Sequence, residues 1–347
     1  MRVLIVRIGA MGDVLHAMPA VAALRARHPE WFIGWAIEPR WSDLLQIAGD
    51  YDDLSQGVGR FAEHALVDRW YSVASSQWKR RPLAPRTHSE IRVLRDVLRQ
   101  DRFDVCVDLQ GSLKSARVGR MAKAGVLAGP AKPRERMAGW FYQQKIEVAA
   151  SHVVEQACEL LGEAVGETLR PAKVTLPMDE MDEQWVDELV GNERFCLISP
   201  GGGWGAKIWP AERFGRVAAE LGRAGLRTLV NTAPGGSREA TRVVEASGGF
   251  AKVAACTVGQ MVALTRRAAV VIAGDTGPLH LAAALERPVV GIFGPTTPTR
   301  NGPYGTRSRV LRDAESLTSY KHVAEVEEGL LRIGEDEVVA DALELLG

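Results

Sequence analysis

The sequence predicts an α/β protein built as two parallel-sheet domains, and three observations carry that prediction. Short runs of apolar, β-branched residues recur along the chain, each followed by a Gly, Asp or Pro turn and then by apolar residues at helical spacing. Such alternation over this length calls for parallel sheets with helices on both faces. At 347 residues the chain exceeds one ordinary core, and the alternation breaks near residues 170–182, so two series of units are expected.

In chain order, the first strand is Val3-Leu4-Ile5-Val6, which runs into Gly9-Ala10-Met11-Gly12-Asp13 and then a helix over 14–27. Further strands are predicted at 32–37 and 105–109. The stretch Arg170-Pro171-Ala172-Lys173-Val174-Thr175-Leu176-Pro177 reads as a linker. Beyond it, strands are predicted at 195–199, 228–231, 270–273 and 289–293, with helical patterns between them. A helical segment over 323–346 closes the chain and is expected to pack back across the first domain. The expected division is therefore 1–170, 171–325 and a terminal helix in 326–347, with the two Rossmann-like domains facing each other across a cleft.

Apolar residues make up 46% and charged residues 25%, the balance of a folded soluble protein rather than a disordered one. Net charge is zero, which argues against a global nucleic-acid binder, yet the first 170 residues carry four more basic than acidic residues and the rest four more acidic than basic. Cys106, Cys158, Cys196 and Cys256 are scattered and form no CxxC pair, which points to a reducing cytoplasm and away from a metal site or disulfide framework. The apolar run at 2–8 is too short for a secretion signal, and no stretch reaches the roughly 18 apolar residues of a membrane span. A cytoplasmic protein is expected.

Chemistry should collect at the carboxyl ends of the strands, where helix N-termini present amides and a positive dipole. After the first strand, Gly9 and Gly12 allow a tight turn, and Asp13 near the helix start is either a capping residue worth about 1 kcal/mol or a general base for a hydroxyl. After the strand at 195–199 comes Ser199-Pro200-Gly201-Gly202-Gly203-Trp204-Gly205-Ala206-Lys207-Ile208-Trp209-Pro210. Its glycines let amides approach phosphate oxygens, and Lys207 adds a point charge for a diphosphate. Ala206 and Ile208 flank that lysine, so the loop is not a Walker A motif and a P-loop ATPase is excluded. The third loop is Ala273-Gly274-Asp275-Thr276-Gly277-Pro278-Leu279-His280, where Thr276 and Gly277 offer a hydroxyl and an amide to a phosphate, and Asp275 and His280 lie beside them. The first loop lacks G-x-G-x-x-G, which disfavours a dehydrogenase.

Together these loops resemble those of glycosyltransferase family 9, the bacterial transferases that move heptose from ADP-heptose to lipopolysaccharide core. The matching features are Met11-Gly12-Asp13, Pro200-Gly201 through Lys207-x-Trp209-Pro210, Asp275-Thr276-Gly277-x-x-His280, and Gly294-Pro295-Thr296 followed by Gly302-x-Tyr304-Gly305. The run Asp108-Leu109-Gln110-Gly111-Ser112-Leu113-Lys114-Ser115-Ala116 resembles in particular the branch that adds the first heptose to Kdo on lipid A. The resemblance implies the GT-B fold, inversion at the anomeric carbon and no metal or other cofactor. It implies Asp13 and Lys207 as catalytic residues. It implies donor contacts from Gly202, Gly203, Lys207, Glu239, Cys256, Asp275, Thr276, Gly277 and His280. Gly12, Trp78, Lys79, Arg80, Lys114 and Arg134 would face an anionic Kdo-lipid A acceptor, for which arginine is well suited. Gly202 and Gly203 stand where that branch has threonines, which leaves only backbone amides there. Trp78 and Phe141-Tyr142 lie beside basic residues, as at a lipid interface or in packing, and the packing reading is preferred. Peripheral contact with the cytoplasmic face of the inner membrane follows from a lipid acceptor. Alternatives are a transferase of the same family acting on a second core heptose or a protein hydroxyl, a sugar-nucleotide epimerase of the same double fold, or a nonenzymatic nucleotide-binding scaffold.

Overall fold

The computed structural model describes residues 1–45, 65–319 and 323–347, and the chain divides into two compact units, Met1–Pro177 and Met178–Gly347. The first unit holds β1 (Arg2–Val6), β2 (Phe32–Ile37), β3 (Arg69–Ser72), β4 (Val105–Asp108), β5 (Val126–Pro130) and β6 (Gln144–Ile146). They form one parallel sheet in the order β3-β2-β1-β4-β5-β6. The second holds β7 (Phe195–Ser199), β8 (Arg227–Thr232), β9 (Ala251–Ala255), β10 (Val270–Gly274), β11 (Val289–Phe293) and β12 (Ser308–Arg312). Its order, β12-β11-β10-β7-β8-β9, is the same winding run again, also parallel. Each sheet is doubly wound, so the order in which strands are added reverses between β1 and β4 in one and between β7 and β10 in the other, while all strands stay parallel. The α/β assignment from sequence holds.

Strand composition follows from burial on both faces. Val3, Leu4, Ile5 and Val6 are fully buried, as are Cys196, Leu197 and Ile198. Successive strand residues point to opposite faces, and the second unit shows it directly. Cys196, Ile198, Val270 and Ile272 enter one apolar cluster with Trp209 and Phe214, whereas Phe195, Leu197, Val271 and Ala273 enter another with Leu279. The five strands that the sequence reading did not anticipate are β3, β5, β6, β9 and β12, at the edge of a sheet or next to it. Edge strands admit Arg69, Lys252 and Arg309, and β5 ends in Pro130, which dilutes the apolar run that announces a strand.

The end of the chain forms two helices, Glu328–Arg332 and Glu335–Leu346, interrupted at Gly334, and the second packs on the core of its own unit. Val338, Ala342 and Leu345 join the cluster of Trp209, Phe214 and Leu221, and Glu335 pairs with Arg213 and Arg216. The apolar stripe of this helix packs with Phe214, Val217 and Leu221 of helix Ala211–Arg223, so its burial is local. No helix among the described residues is long and apolar enough to cross a membrane.

Candidate active site

The carboxyl ends of β1 and β4 hold the candidate residues Gly12, Asp13 and Lys114 of the first unit. Helix Met11–Arg27 starts earlier than the apolar spacing suggested, so Asp13 is its third residue and Ala10 its N-cap. Asp13 Oδ2 accepts from the Ala10 amide at 3.1 Å, and Oδ1 meets Arg7 Nη2 at 2.8 Å. Arg7 also donates to the carbonyls of Asp13 and Leu109, tying the β1 loop to the β4 loop. The carboxylate is about one-third exposed, so it caps the helix and still presents an open edge to solvent. Gly12 is buried in the first turn beside it.

Asp108, at the end of β4, is wholly buried and accepts from Tyr142 Oη, Ser115 Oγ and the amides of Gln110 and Gly111, at 2.7–3.1 Å. Burial raises its pKa above the usual carboxylate range despite those four donors. Its role is to shape the loop that opens helix Leu113–Ala122. Gly111 has φ +68°, and a Cβ there would stand 3.1 Å from the Arg134 amide, so glycine is what lets the segment bearing Arg134 close over this loop. Glu135 then accepts from the Leu113 amide at 3.0 Å, a carboxylate on a helix N-terminus.

Lys114 donates to Ser75 Oγ at 3.0 Å, and its pKa is lowered first by desolvation, with Arg40 and Arg134 adding to that and Glu38 and Glu135 opposing it. Glu38, just past β2, is buried and accepts from the Ser76 amide at 3.0 Å and from Arg40 at 3.1 Å. Burial works to raise its pKa, but the Ser76 hydrogen bonds and the Arg40 and Lys114 charges outweigh it and hold the group low. Glu38, Arg40, Ser75 and Arg7 were not singled out in the sequence. The rule that strand ends carry function would have found Glu38 and Arg7, since each directly follows a strand.

Of the sequence candidates here, Lys79, Arg80 and Arg134 are exposed cations. Trp78 is otherwise placed. Its indole donates to Glu90 Oε2 at 2.8 Å and its ring packs against the apolar core, as do Phe141 and Tyr142. The preferred packing reading of these aromatics agrees with their place against the core.

In the second unit the loops after β7 and β10 meet. Lys207 Nζ lies 2.6 Å from Asp275 Oδ2, and His280 Nε2 lies 3.0 Å from Asp275 Oδ1. Asp275 and His280 are 8% and 6% exposed, so the carboxylate is committed to these two partners. Burial alone would raise the Asp275 pKa, but the His280 hydrogen bond and charge and the Lys207 ammonium hold it well below the usual range. Lys207 Nζ also stands 5.3 Å from the Trp204 ring centroid, which limits its wandering. Thr276 caps helix Gly277–Ala284, and its hydroxyl donates to the Gly274 carbonyl at 3.2 Å. The helix opens with Gly277, so its positive end sits at the carboxyl end of β10.

Gly202 and Gly203 are exposed, and a side chain at Gly203 would meet nothing. Gly205 has a different cause: a Cβ there would stand 1.9 Å from the Ala324 carbonyl oxygen. The Ala206 amide donates to the Val323 carbonyl and the Glu327 amide to the Ala206 carbonyl, so the chain near its end braces the Lys207 loop. Glu239 sits in the first turn of helix Arg238–Ala246, after a turn built on Gly235 and Gly236 at positive φ. Cys256 is buried with its thiol near the Thr232 carbonyl, and burial pushes its pKa up to about 12, so it serves as an apolar surface and not as a nucleophile.

An anion-ready helix start with a buried Lys–Asp–His group suits a diphosphate, and a carboxylate at the other switch point suits a hydroxyl. The model of glycosyltransferase family 9 (heptosyltransferase) matches residues 91–330. The chain belongs to this family. The family 9 enzyme is 28% identical over 324 residues to lipopolysaccharide heptosyltransferase 1 of Escherichia coli, across 90% of this chain and 93% of that relative. Its fold is similar to that of the E. coli heptosyltransferase WaaC with ADP, with a TM-score of 0.79 and 25% identity over 99% of this chain and 100% of that one. The same E. coli enzyme with ADP-2-deoxy-2-fluoro heptose gives a TM-score of 0.75 and 26% identity over 99% of both chains. These similarities agree with the GT-B class, and membership makes this enzyme a glycosyltransferase rather than an epimerase or a scaffold.

Proposed function

We propose that this glycosyltransferase moves L-glycero-D-manno-heptose from ADP-heptose to Kdo of the lipopolysaccharide inner core, with inversion at the anomeric carbon. The observation that carries the reading is the Lys207–Asp275–His280 group beside the start of helix Gly277–Ala284, which suits a departing nucleoside diphosphate. Similarity to lipopolysaccharide heptosyltransferase 1, and to a fold seen with an ADP-heptose analogue, supports the donor and the pathway step.

In this reading the acceptor oxygen attacks the anomeric carbon as the bond from that carbon to the diphosphate oxygen breaks. Asp13 takes the acceptor proton, and ADP leaves as an anion that needs little protonation. Lys207, the Thr276 hydroxyl, the Gly277 amide and His280 stabilise the charge developing on it, and Asp275 acts by holding Lys207 and His280. Gly202 and Gly203 leave backbone amides open to the phosphates, and Glu239 serves the ribose. Gly12, Trp78, Lys79, Arg80, Lys114 and Arg134 receive the anionic acceptor, with Lys114 steadied by Ser75. The enzyme works in the cytoplasm, in peripheral contact with the inner membrane.

A mass-spectrometric transfer assay with ADP-heptose and Kdo-lipid A, run beside UDP- and GDP-sugars, tests this. A gain of one heptose only with ADP-heptose is expected. Consumption of ADP-heptose with an unchanged acceptor would move the acceptor elsewhere, and a product of retained configuration would exclude the single displacement.

A further inference from the structure

The packed aromatics Trp78, Phe141 and Tyr142 do not form a lipid-facing surface, but other residues of the first unit do have that character. Leu83 is 86% exposed, Trp140 is 74% exposed and Met137 is 47% exposed. Large apolar side chains so open to water are seldom grouped without a partner. Leu83 lies just before helix Pro85–Gln100, and Met137 and Trp140 lie on the short 3-10 helix Arg136–Trp140. Helix Leu113–Ala122 packs against both helices and so lies between these exposed residues.

That middle helix presents Arg117 and Arg120, three residues apart and both exposed, and Arg136 is exposed beside Met137. None of the three arginines has an ion-pair partner among the described residues. A cationic ridge flanked by exposed Leu and Trp matches an anionic bilayer surface, where arginine meets phosphate and an indole sits at headgroup depth. A nucleic acid would use the charge but not an aliphatic leucine.

We propose that this face of the first unit docks on anionic phospholipid, with Leu83 and Trp140 entering the interface and Arg117, Arg120 and Arg136 on the headgroups. It deepens the peripheral association in the proposed function and rests on that reading only for its purpose, since vesicles without acceptor test it separately from transfer.

The test is flotation of the full chain with phosphatidylethanolamine vesicles containing phosphatidylglycerol, against phosphatidylcholine vesicles. Binding to the anionic vesicles alone, weakened at 0.5 M salt, is expected. The R117E/R120E pair should weaken partition roughly tenfold or more, and L83S/W140S should abolish the part that survives high salt. Transfer to a soluble Kdo oligosaccharide should be unchanged in both pairs. Equal flotation with both vesicle types, wild-type partition by the variants, or capture of duplex DNA in preference to vesicles would overturn the proposal. If flotation holds while transfer fails for the wild type, the surface stands and the acceptor reading falls.

Discussion

At the residue scale, Asp13 caps its helix and still keeps an open edge for the general-base role proposed for it. Its oxygens accept from Ala10 and pair with Arg7, yet about one-third of the side chain stays exposed. Asp13→Ala should lower kcat by roughly two or more orders of magnitude, with the ADP-heptose dissociation constant nearly unchanged, in single-turnover kinetics paired with calorimetry. Loss of donor affinity along with kcat would leave Asp13 a structural role alone. Asp275 makes a different prediction, about stability. Its folded pKa lies below the unfolded value near 3.9, so the stabilisation is present at neutral pH and is lost as pH falls below about 4 through the folded value. Asp275→Asn should cost roughly 3 kcal/mol at pH 7, because it leaves a buried ammonium without its counter-charge. The gap between wild type and variant in urea midpoint should narrow as the solution is acidified through that window.

At the element scale, the Lys207 loop is positioned from two directions, by the end of β7 and by the chain near residue 324. Gly205→Ala would drive a Cβ into the Ala324 carbonyl and push these segments apart. Reduced ADP affinity with an intact circular dichroism spectrum is the expected outcome. The terminal helix makes a complementary case. Leu345→Ala should destabilise the second unit by about 2 kcal/mol or more, read as a lower midpoint for that unit's thermal transition, because Leu345 packs in the same cluster as Trp209.

At the scale of the whole molecule, two sheets share one winding order, and the proposed function assigns them two separate tasks. The first unit offers Asp13 and a cationic surface, and the second offers the Lys207–Asp275–His280 group and a helix start. Donor binding should therefore track the second unit. Saturating ADP is expected to raise the thermal midpoint of wild type and of Asp13→Ala alike, by an amount corresponding to about 2.7 kcal/mol at a hundredfold excess over the dissociation constant. Lys207→Ala should lose most of that shift. Loss of the shift in Asp13→Ala would overturn the division of labour.

The sequence by itself determined the two-unit α/β plan, because central parallel strands are buried on both faces and read as unbroken apolar runs such as 3–6 and 195–199. It also located the loops after β1, β7 and β10, since catalytic residue types at strand ends follow a local rule. Edge strands were not legible, because one open side tolerates Arg and Lys in place of the apolar signal. Pairings distant in sequence were decided by tertiary structure alone. Asp275 is bound by Lys207, 68 residues earlier, and Gly205 serves a backbone contact with Ala324 although it reads as part of a phosphate loop. Local pattern reports which face of an element is apolar, whereas its partner is chosen by packing across the whole chain; that is why the last helix joined the nearer core.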